Sequence, residues 1–580
     1  MANFHSVFRT TLLLLTTKLN NVQFHSYRLY GTYKNWSQKF HAVLNSPQYN
    51  VYCIGELLHV IQMKHLYPDS KRFVDKKLRV PPQQVLNNFA LLKRIKPHLP
   101  ESSLSKFLLK NFEDEHSLQQ YTPTDWAPYP ELLTKIKDRK LRKFALELHA
   151  LWNVLSRRIY EDCMINADKY SLLYVPKPFV IPGGRFREYY YWDSYWIIRG
   201  LLICDMYESA KHMIENYLYL VEKYGLIPNG GRLYYVDRSQ PPLLAKMFDT
   251  YMDFTNDEPF LNEALPKIEE EFNFWDNTRS VSVQKDSKIH MMYHYDSFQF
   301  TPRPESYRED FRCSLALPKD ARPLFYNEVR AAAESGIDFS SRWWVPDWEL
   351  RPDFTNIRAT HIIPVDLNSI LENNARILAK SFERIGNDKK AKLYKAKADQ
   401  IKTAIDQVLW NDDVGIWCDY DYINQVSRTR FYPSNLTPLW TQSYPFENQK
   451  YIEKAVKYLK NKDIINIYVG GVPSSLKRTG EQWDLPNAWA PHQDIVIKGL
   501  SYSNNDEAQK LAQLLAERWV RHNYILYKES RSMFEKYSAM APGMGEGGEY
   551  EIQTGFGWTN GVIIDLITSF NIRLDVEQYI

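Results

Sequence analysis

Apolar residues recur three and four positions apart over long stretches of this chain, a spacing that places them on one side of a helix. Leu57-Leu58-His59-Val60-Ile61-Gln62-Met63 has it and runs into a turn at Pro68-Asp69-Ser70. The same spacing predicts helices over 141–160, 207–224, 258–275, 368–385, 389–408, 506–527 and 561–570. Between them lie long Pro- and Gly-rich connections with few β-branched alternations, so strands are expected to be a minor element. Residues 1–48 read as a polar, Tyr- and Asn-rich leader, and no linker divides the remainder of the chain, which predicts a single domain over 49–575. Paired helices joined by long polar loops suit a helical toroid or an irregular bundle; periodicity does not separate the two, and no fixed repeat stands out.

Composition narrows the class. The 580 residues are 44% hydrophobic and 24% charged, as expected of a soluble globular protein with a large core. Net charge is +4, from 73 basic and 69 acidic residues with no block of one sign, so no nucleic-acid partner is indicated. The five cysteines, Cys53, Cys163, Cys204, Cys313 and Cys418, are scattered without C-x-x-C spacing and suggest neither a zinc site nor a disulfide framework. An apolar run at 12–15 follows Arg9 but is cut short by Lys18 and lacks a small-residue cleavage site. It fits a weak secretion signal or a plain leader; secretion is slightly favoured over a cytoplasmic location. No later segment has the length of a membrane span, and the C-terminus carries no apolar tail for a lipid anchor. Sequons at Asn35 and Asn435 matter only in the secretory pathway. The aromatic fraction, 14% with 40 Tyr and 16 Trp, is high and fits carbohydrate handling.

The densest chemistry lies in Pro182-Gly183-Gly184-Arg185-Phe186-Arg187-Glu188-Tyr189-Tyr190-Tyr191-Trp192-Asp193-Ser194-Tyr195-Trp196. A Gly-Gly turn leads into interleaved guanidinium groups, carboxylates and rings. Ring faces cover the C–H faces of a sugar, and charged groups hydrogen-bond its hydroxyls strongly and directionally. Aromatics alone would read as core; the interleaved charges favour a sugar site.

Other loops extend the pattern. Asn229 sits in Ile-Pro-Asn-Gly-Gly ahead of Asp237-Arg238-Ser239-Gln240, where turn chemistry alone is an equal reading. Pro302-Arg303-Pro304-Glu305 opens a stretch of alternating charge that a solvated loop would also show. In Gly336-Ile337-Asp338-Phe339 the carboxylate stands between apolar neighbours, which disfavours its charged form and suits a proton donor, although an N-cap Asp would look the same. Trp483 lies in Gln-Trp-Asp-Leu-Pro-Asn-Ala-Trp, and Glu535 in Phe-Glu-Lys-Tyr precedes a Gly-rich run ending at Glu549. That run lacks the Lys-Ser/Thr of a phosphate loop and no strand precedes it, so a lid or a close approach to sugar is the better reading.

Taken together these stretches resemble the inverting trehalases of bacteria, fungi and animals, from about Tyr52 to about Phe570 and in the family's order, with 182–195 and 482–491 nearly intact. The resemblance implies an all-α (α/α)6 barrel that hydrolyses α,α-trehalose to two glucose molecules, with no metal or cofactor. It implies Asp338 as general acid and Glu535 as general base. Arg185, Trp192, Asp193, Asn229, Arg238, Ser239, Gln240, Arg303, Glu305, Gly336 and Glu549 are then the substrate-binding set, to which Trp483 is added from its Trp- and Asp-bearing loop. From the residues alone Glu535 and Glu549 remain rival bases.

Three positions depart from the family's pattern: Ile337 stands where a Trp is usual, Ser538 where an Asp is common, and Glu546 interrupts a glycine run. They bear on catalytic rate, pH optimum and lid motion more than on substrate identity, and keep open a weakened relative that binds trehalose as a sensor or carrier. A hydrolase of another small disaccharide and a helical-repeat scaffold are the other rival expectations. The scaffold would not need the Trp- and Arg-rich loops.

Overall fold

The computed structural model describes residues 30–346, 353–548 and 553–574. Its principal helices are, in chain order, α1 (Arg139–Leu155), α2 (Asp193–Ile203), α3 (Tyr207–Tyr224), α4 (Leu244–Thr255), α5 (Glu258–Thr278), α6 (Val365–Arg384), α7 (Asp388–Ala404), α8 (Thr437–Thr441), α9 (Lys450–Asn461), α10 (Ala490–Ser501), α11 (Asp506–Ser530) and α12 (Gly557–Ser569). The odd-numbered helices form an outer layer and the even-numbered ones an inner layer. Outer helices bury one face and leave the other in water, and polar caps define their ends. Asp138 accepts from the N–H groups of Lys140 and Leu141 at the start of α1, Asp257 caps α5 and Asn505 caps α11. Gly225, at φ 76°, terminates α3 in the left-handed region.

Two of the inner helices are covered on every side: α10 is buried from Ala490 to Leu500 and α12 from Gly557 to Ile567. Each even-numbered helix touches two inner neighbours, running α2, α4, α6, α8, α10, α12 and back to α2. This closed ring of helix pairs is the (α/α)6 barrel. It shuts where glycines let α2 and α12 approach: a Cβ on Gly200 would lie 2.7 Å from the Trp152 ring and 2.8 Å from Gly561 Cα. One on Gly561 would collide with the Trp196 carbonyl oxygen.

Strands are short and antiparallel, in sheets of two or three. Ser280–Lys285 and Lys288–Tyr293 make a hairpin through Asp286 and Ser287, both at positive φ, the geometry of a two-residue turn. More important for the site, Asn487–Trp489 pairs with Lys536–Ser538, with Trp489 opposite Lys536. Ahead of α1, the helices Pro47–Tyr52, Glu56–Met63, Pro82–Ile95 and Glu101–Asn111 share an apolar cluster with Tyr190, Tyr234, Tyr235 and Tyr307 from the barrel loops. Within the stretch read as leader, helix Tyr30–Leu44 lies against α3 and α5, and the Phe40 ring is 5.3 Å from that of Phe298. The apolar run at 12–15 lies outside the described residues. Among the described residues no helix is long and apolar enough to cross a membrane. The sequon residue Asn435 is wholly buried, donating to Trp417 O at 2.7 Å and accepting from Tyr432 N–H at 2.6 Å.

Candidate active site

The loops that enter the inner helices converge at one mouth of the barrel. They supply 182–192 before α2, 227–243 before α4, 299–344 before α6, 474–489 before α10, and 533–548 with 553–556 before α12. The N-terminal ends of those helices, with the positive ends of their dipoles, therefore point at the same place. A recess of about 730 Å³, counting the open space at its mouth, lies there. Lining it are Arg185, Trp192, Asp193, Asn229, Arg238, Gln240, Arg303, Glu305, Gly336, Asp338, Trp483 and Glu535. Every described residue expected at the site from the sequence is thus present except Ser239. Its hydroxyl donates to Ile227 O at 2.6 Å and its N–H to Glu334 at 2.9 Å, so it braces the loop from behind rather than facing the recess. Glu549 lies outside the described residues.

Each side chain is held in place. Trp192, Trp483, Trp489 and Trp558 form a box: Trp483 stacks on Trp489 with centroids 3.9 Å apart, and Trp192 meets Trp483 and Trp558 at 5.8 Å. Gly336, at φ +72°, lies against this box, and a Cβ there would be 2.7 Å from the Trp192 ring. Arg303 is clamped by Asp310 through Nη2–Oδ1 at 2.7 Å and Nε–Oδ2 at 3.0 Å, and its guanidinium covers the Phe339 ring. Arg238 donates to Glu305 at 2.6 Å. Two buried atoms on the lining, Arg238 Nε and Glu305 Oε2, have no hydrogen-bond partner among the described residues, as expected of a surface shaped for a polar ligand.

Asp338 and Glu535 arrive by different routes. The loop after Asp338 is tied down by Asp484, which accepts from Ser340 Oγ at 3.0 Å and from Ser341 N–H and Oγ at 2.8 Å. The Phe339 carbonyl accepts from Trp483 N–H at 3.0 Å. Glu535 immediately precedes the strand paired with 487–489; its N–H donates to Gln553 O at 3.0 Å and its carbonyl accepts from Trp558 Nε1 at 3.2 Å. A third carboxyl, Asp193, opens α2. Burial pushes its pKa well above the ordinary carboxylate range, helped by the charges of Glu535 and Asp338, so it is suited to donate a proton in a hydrogen bond. Glu305 goes the other way: burial would raise it, but Arg238, Arg303 and Arg330 outweigh that and hold it below its usual value.

The departures at Ile337, Ser538 and Glu546 all miss the lining. Ile337 is buried and its carbonyl accepts from Trp343 Nε1 at 2.9 Å. Ser538 ends the strand and accepts from Met540 N–H at 3.2 Å. Glu546 turns outward to Arg478 at 2.7 Å, with both side chains about 60% exposed. The recess also takes in residues that the sequence pattern leaves unassigned. Phe186, Tyr190, Gln482 and Trp489 lie in the quoted motifs and could have been found there, and Phe556 and Trp558 follow closely in Gly-Phe-Gly-Trp, whereas Lys71 had no signal of its own.

A profile of the trehalase family matches residues 65–571. The chain is 46% identical to the trehalase of Apis mellifera over 92% of this chain and 86% of that one. It is 43% identical to the trehalase of Homo sapiens over 90% of each. Neutral trehalase Nth1 of Saccharomyces cerevisiae superposes with a TM-score of 0.56 at 23% identity, over 68% of this chain and 77% of that structure, which bears on the fold.

Proposed function

The chain belongs to the trehalase family, and on that premise we propose that it hydrolyses α,α-trehalose to two glucose molecules in one inverting displacement, with Asp338 as general acid and Glu535 as general base. Both anomeric carbons of trehalose are locked in the acetal. Cleavage therefore needs a proton on the departing oxygen and a water activated on the opposite face of the ring. Inversion by this route calls for two carboxyl groups about 6.5–9.5 Å apart, with room for that water. The observation that carries the reading is that Asp338 and Glu535, far apart in sequence, line one buried recess with the tryptophan box and the Arg238–Glu305 and Arg303–Asp310 pairs. These pairs present fixed charges to a small, very polar ligand and so orient it without reorganisation. Asp193, held toward its neutral form, can donate to a sugar hydroxyl without placing a third negative charge beside the reacting pair.

The test is glucose release from trehalose by the purified protein, with anomers followed by NMR and sucrose and maltose as controls. One α- and one β-glucose per trehalose is expected, with little release from the controls. Binding without release from folded protein would make it a sensor or carrier, and faster release from a control would redirect the substrate assignment.

A further inference from the structure

Lys71 is the feature of the recess that the proposed reaction leaves unused. It comes from the segment ahead of the barrel, opens the short helix Lys71–Val74, and lines the cavity while only 4% exposed. Its ammonium lies 2.7 Å from Asp75 Oδ2 and 2.7 Å from Glu188 Oε1, and Glu188 is itself wholly buried. An ammonium has three N–H donors, and these two carboxylates engage two of them. Beyond them the ammonium meets the Tyr234 ring, 5.9 Å from its centroid, which leaves the third N–H without a hydrogen-bond acceptor among the described residues. A lysine is buried at this cost only when paired, and here the pairing also fixes its direction.

The same segment is fastened to two loops of the recess. Asp69 accepts from Lys71 N–H at 2.9 Å and from Arg185 Nη2 at 2.8 Å, so one carboxylate sets both the turn and the guanidinium. Arg308 Nη2 donates to Pro68 O at 2.6 Å, and Gln62 Nε2 to Ser70 O at 2.8 Å and Pro304 O at 3.3 Å. The segment thereby bridges the Arg185 loop and the Arg303–Glu305 loop.

We propose, resting on the reading of the recess as a disaccharide site, that residues 68–75 form a further wall of it, in which Lys71 donates a hydrogen bond to one hydroxyl of a bound glucosyl ring and Asp69 positions Arg185. The trehalose affinity of an Asp338→Asn protein, which removes turnover, is measured by calorimetry with Lys71→Gln, Lys71→Arg or Asp69→Asn added, and with the set of monodeoxy trehaloses. Thermal melts report folding. Lys71→Gln should weaken trehalose about tenfold or more, the loss of a charge-assisted hydrogen bond. One monodeoxy sugar should bind Lys71 protein more weakly but bind the Gln variant no worse than trehalose does.

Lys71→Arg keeps both ion pairs and the fold while moving the donor. It should bind several-fold more weakly, which keeps the test valid should the Gln variant not fold. In the Asp338 background Asp69→Asn should weaken binding several-fold, and in the active enzyme it should raise KM with little change in kcat. Unchanged affinity in folded Lys71 variants, or a loss spread equally over all the deoxy sugars, overturns the assignment of Lys71; unchanged affinity and KM in Asp69→Asn overturns the positioning role. Absence of trehalose binding to the parent protein would instead sink the disaccharide reading itself.

Discussion

Replacing Glu305 by Gln changes one charge at a position where the surroundings are fully specified. Oε1 accepts from Arg238 at 2.6 Å, and Oε2 is buried on the cavity lining without a partner among the described residues. Because three guanidinium groups hold this carboxyl below its usual pKa, it is ionised throughout the neutral range and remains so under mild acid. A hydrogen bond from a sugar hydroxyl to such a carboxylate contributes about 1.5–3 kcal/mol, against about 0.5–1.5 kcal/mol for a neutral amide acceptor. The difference, about 1–2 kcal/mol, corresponds to roughly a five- to thirtyfold rise in KM. Folding should suffer less than in a truncation, because the amide oxygen still accepts from Arg238, which also keeps Asp237 at 3.4 Å. Steady-state kinetics on trehalose from about pH 5 to 8, with a thermal melt alongside, make the assay. A KM within twofold of the parent in a folded protein refutes the contact. A collapse of kcat with KM unchanged refutes the binding role and assigns Glu305 to the chemical step.

Asp338→Asn should abolish turnover with trehalose binding retained, and Glu535→Gln should lose mainly kcat; turnover lost in Glu549→Gln but kept in Glu535→Gln would reverse the choice of base. Gly336→Ala places a Cβ 2.7 Å from the Trp192 ring at a φ of +72°, which costs about 1–2 kcal/mol in backbone alone, so a lower melting temperature and a raised KM are expected together. Asp565 is buried between Arg199 at 2.7 Å and Lys498 at 2.9 Å; burial would push its pKa up, but those cations reverse this and hold it at about 2. A folded value below the unfolded one means stabilisation that is present above about pH 4 and lost as pH falls towards about 2, on the order of 2 kcal/mol. Asp565→Asn should therefore melt well below the parent at neutral pH, and the gap should narrow over that acid window; a gap independent of pH would refute the assignment.

Sequence periodicity reports which side of a helix meets water, and that is the part of this fold it determined. The outer helices α3, α5, α7 and α11 carry such a stripe and lie within a few residues of the ranges predicted from it. Amphipathic α9 has the same signal, yet it is absent from the predicted ranges. Inner α6 and α12 were found from their spacing as well, whereas α2 and α10 were not, because a helix covered on every side has no polar face to set the phase. Inner α4, with Lys246, Asp249 and Asp253 on one side, carried the signal and was missed. Closure of the ring was equally invisible, since it rests on Gly200 meeting Gly561 across most of the chain.

The site divides in the same way. Arg185, Trp192, Asp338, Trp483 and Glu535 were legible because aromatic, guanidinium and carboxylate groups crowd into loops braced by Gly and Pro, and local chemistry survives in local sequence. Ser239 shared such a loop, yet only the packing could show that its hydroxyl turns back to Ile227. Lys71 had no motif, since its burial beside Glu188 and the bond from Asp69 to Arg185 join groups more than a hundred positions apart. Residue types determined the chemistry available here; the tertiary fold decided which groups share one low-dielectric space, where desolvation and Coulomb interactions give each its protonation and its direction.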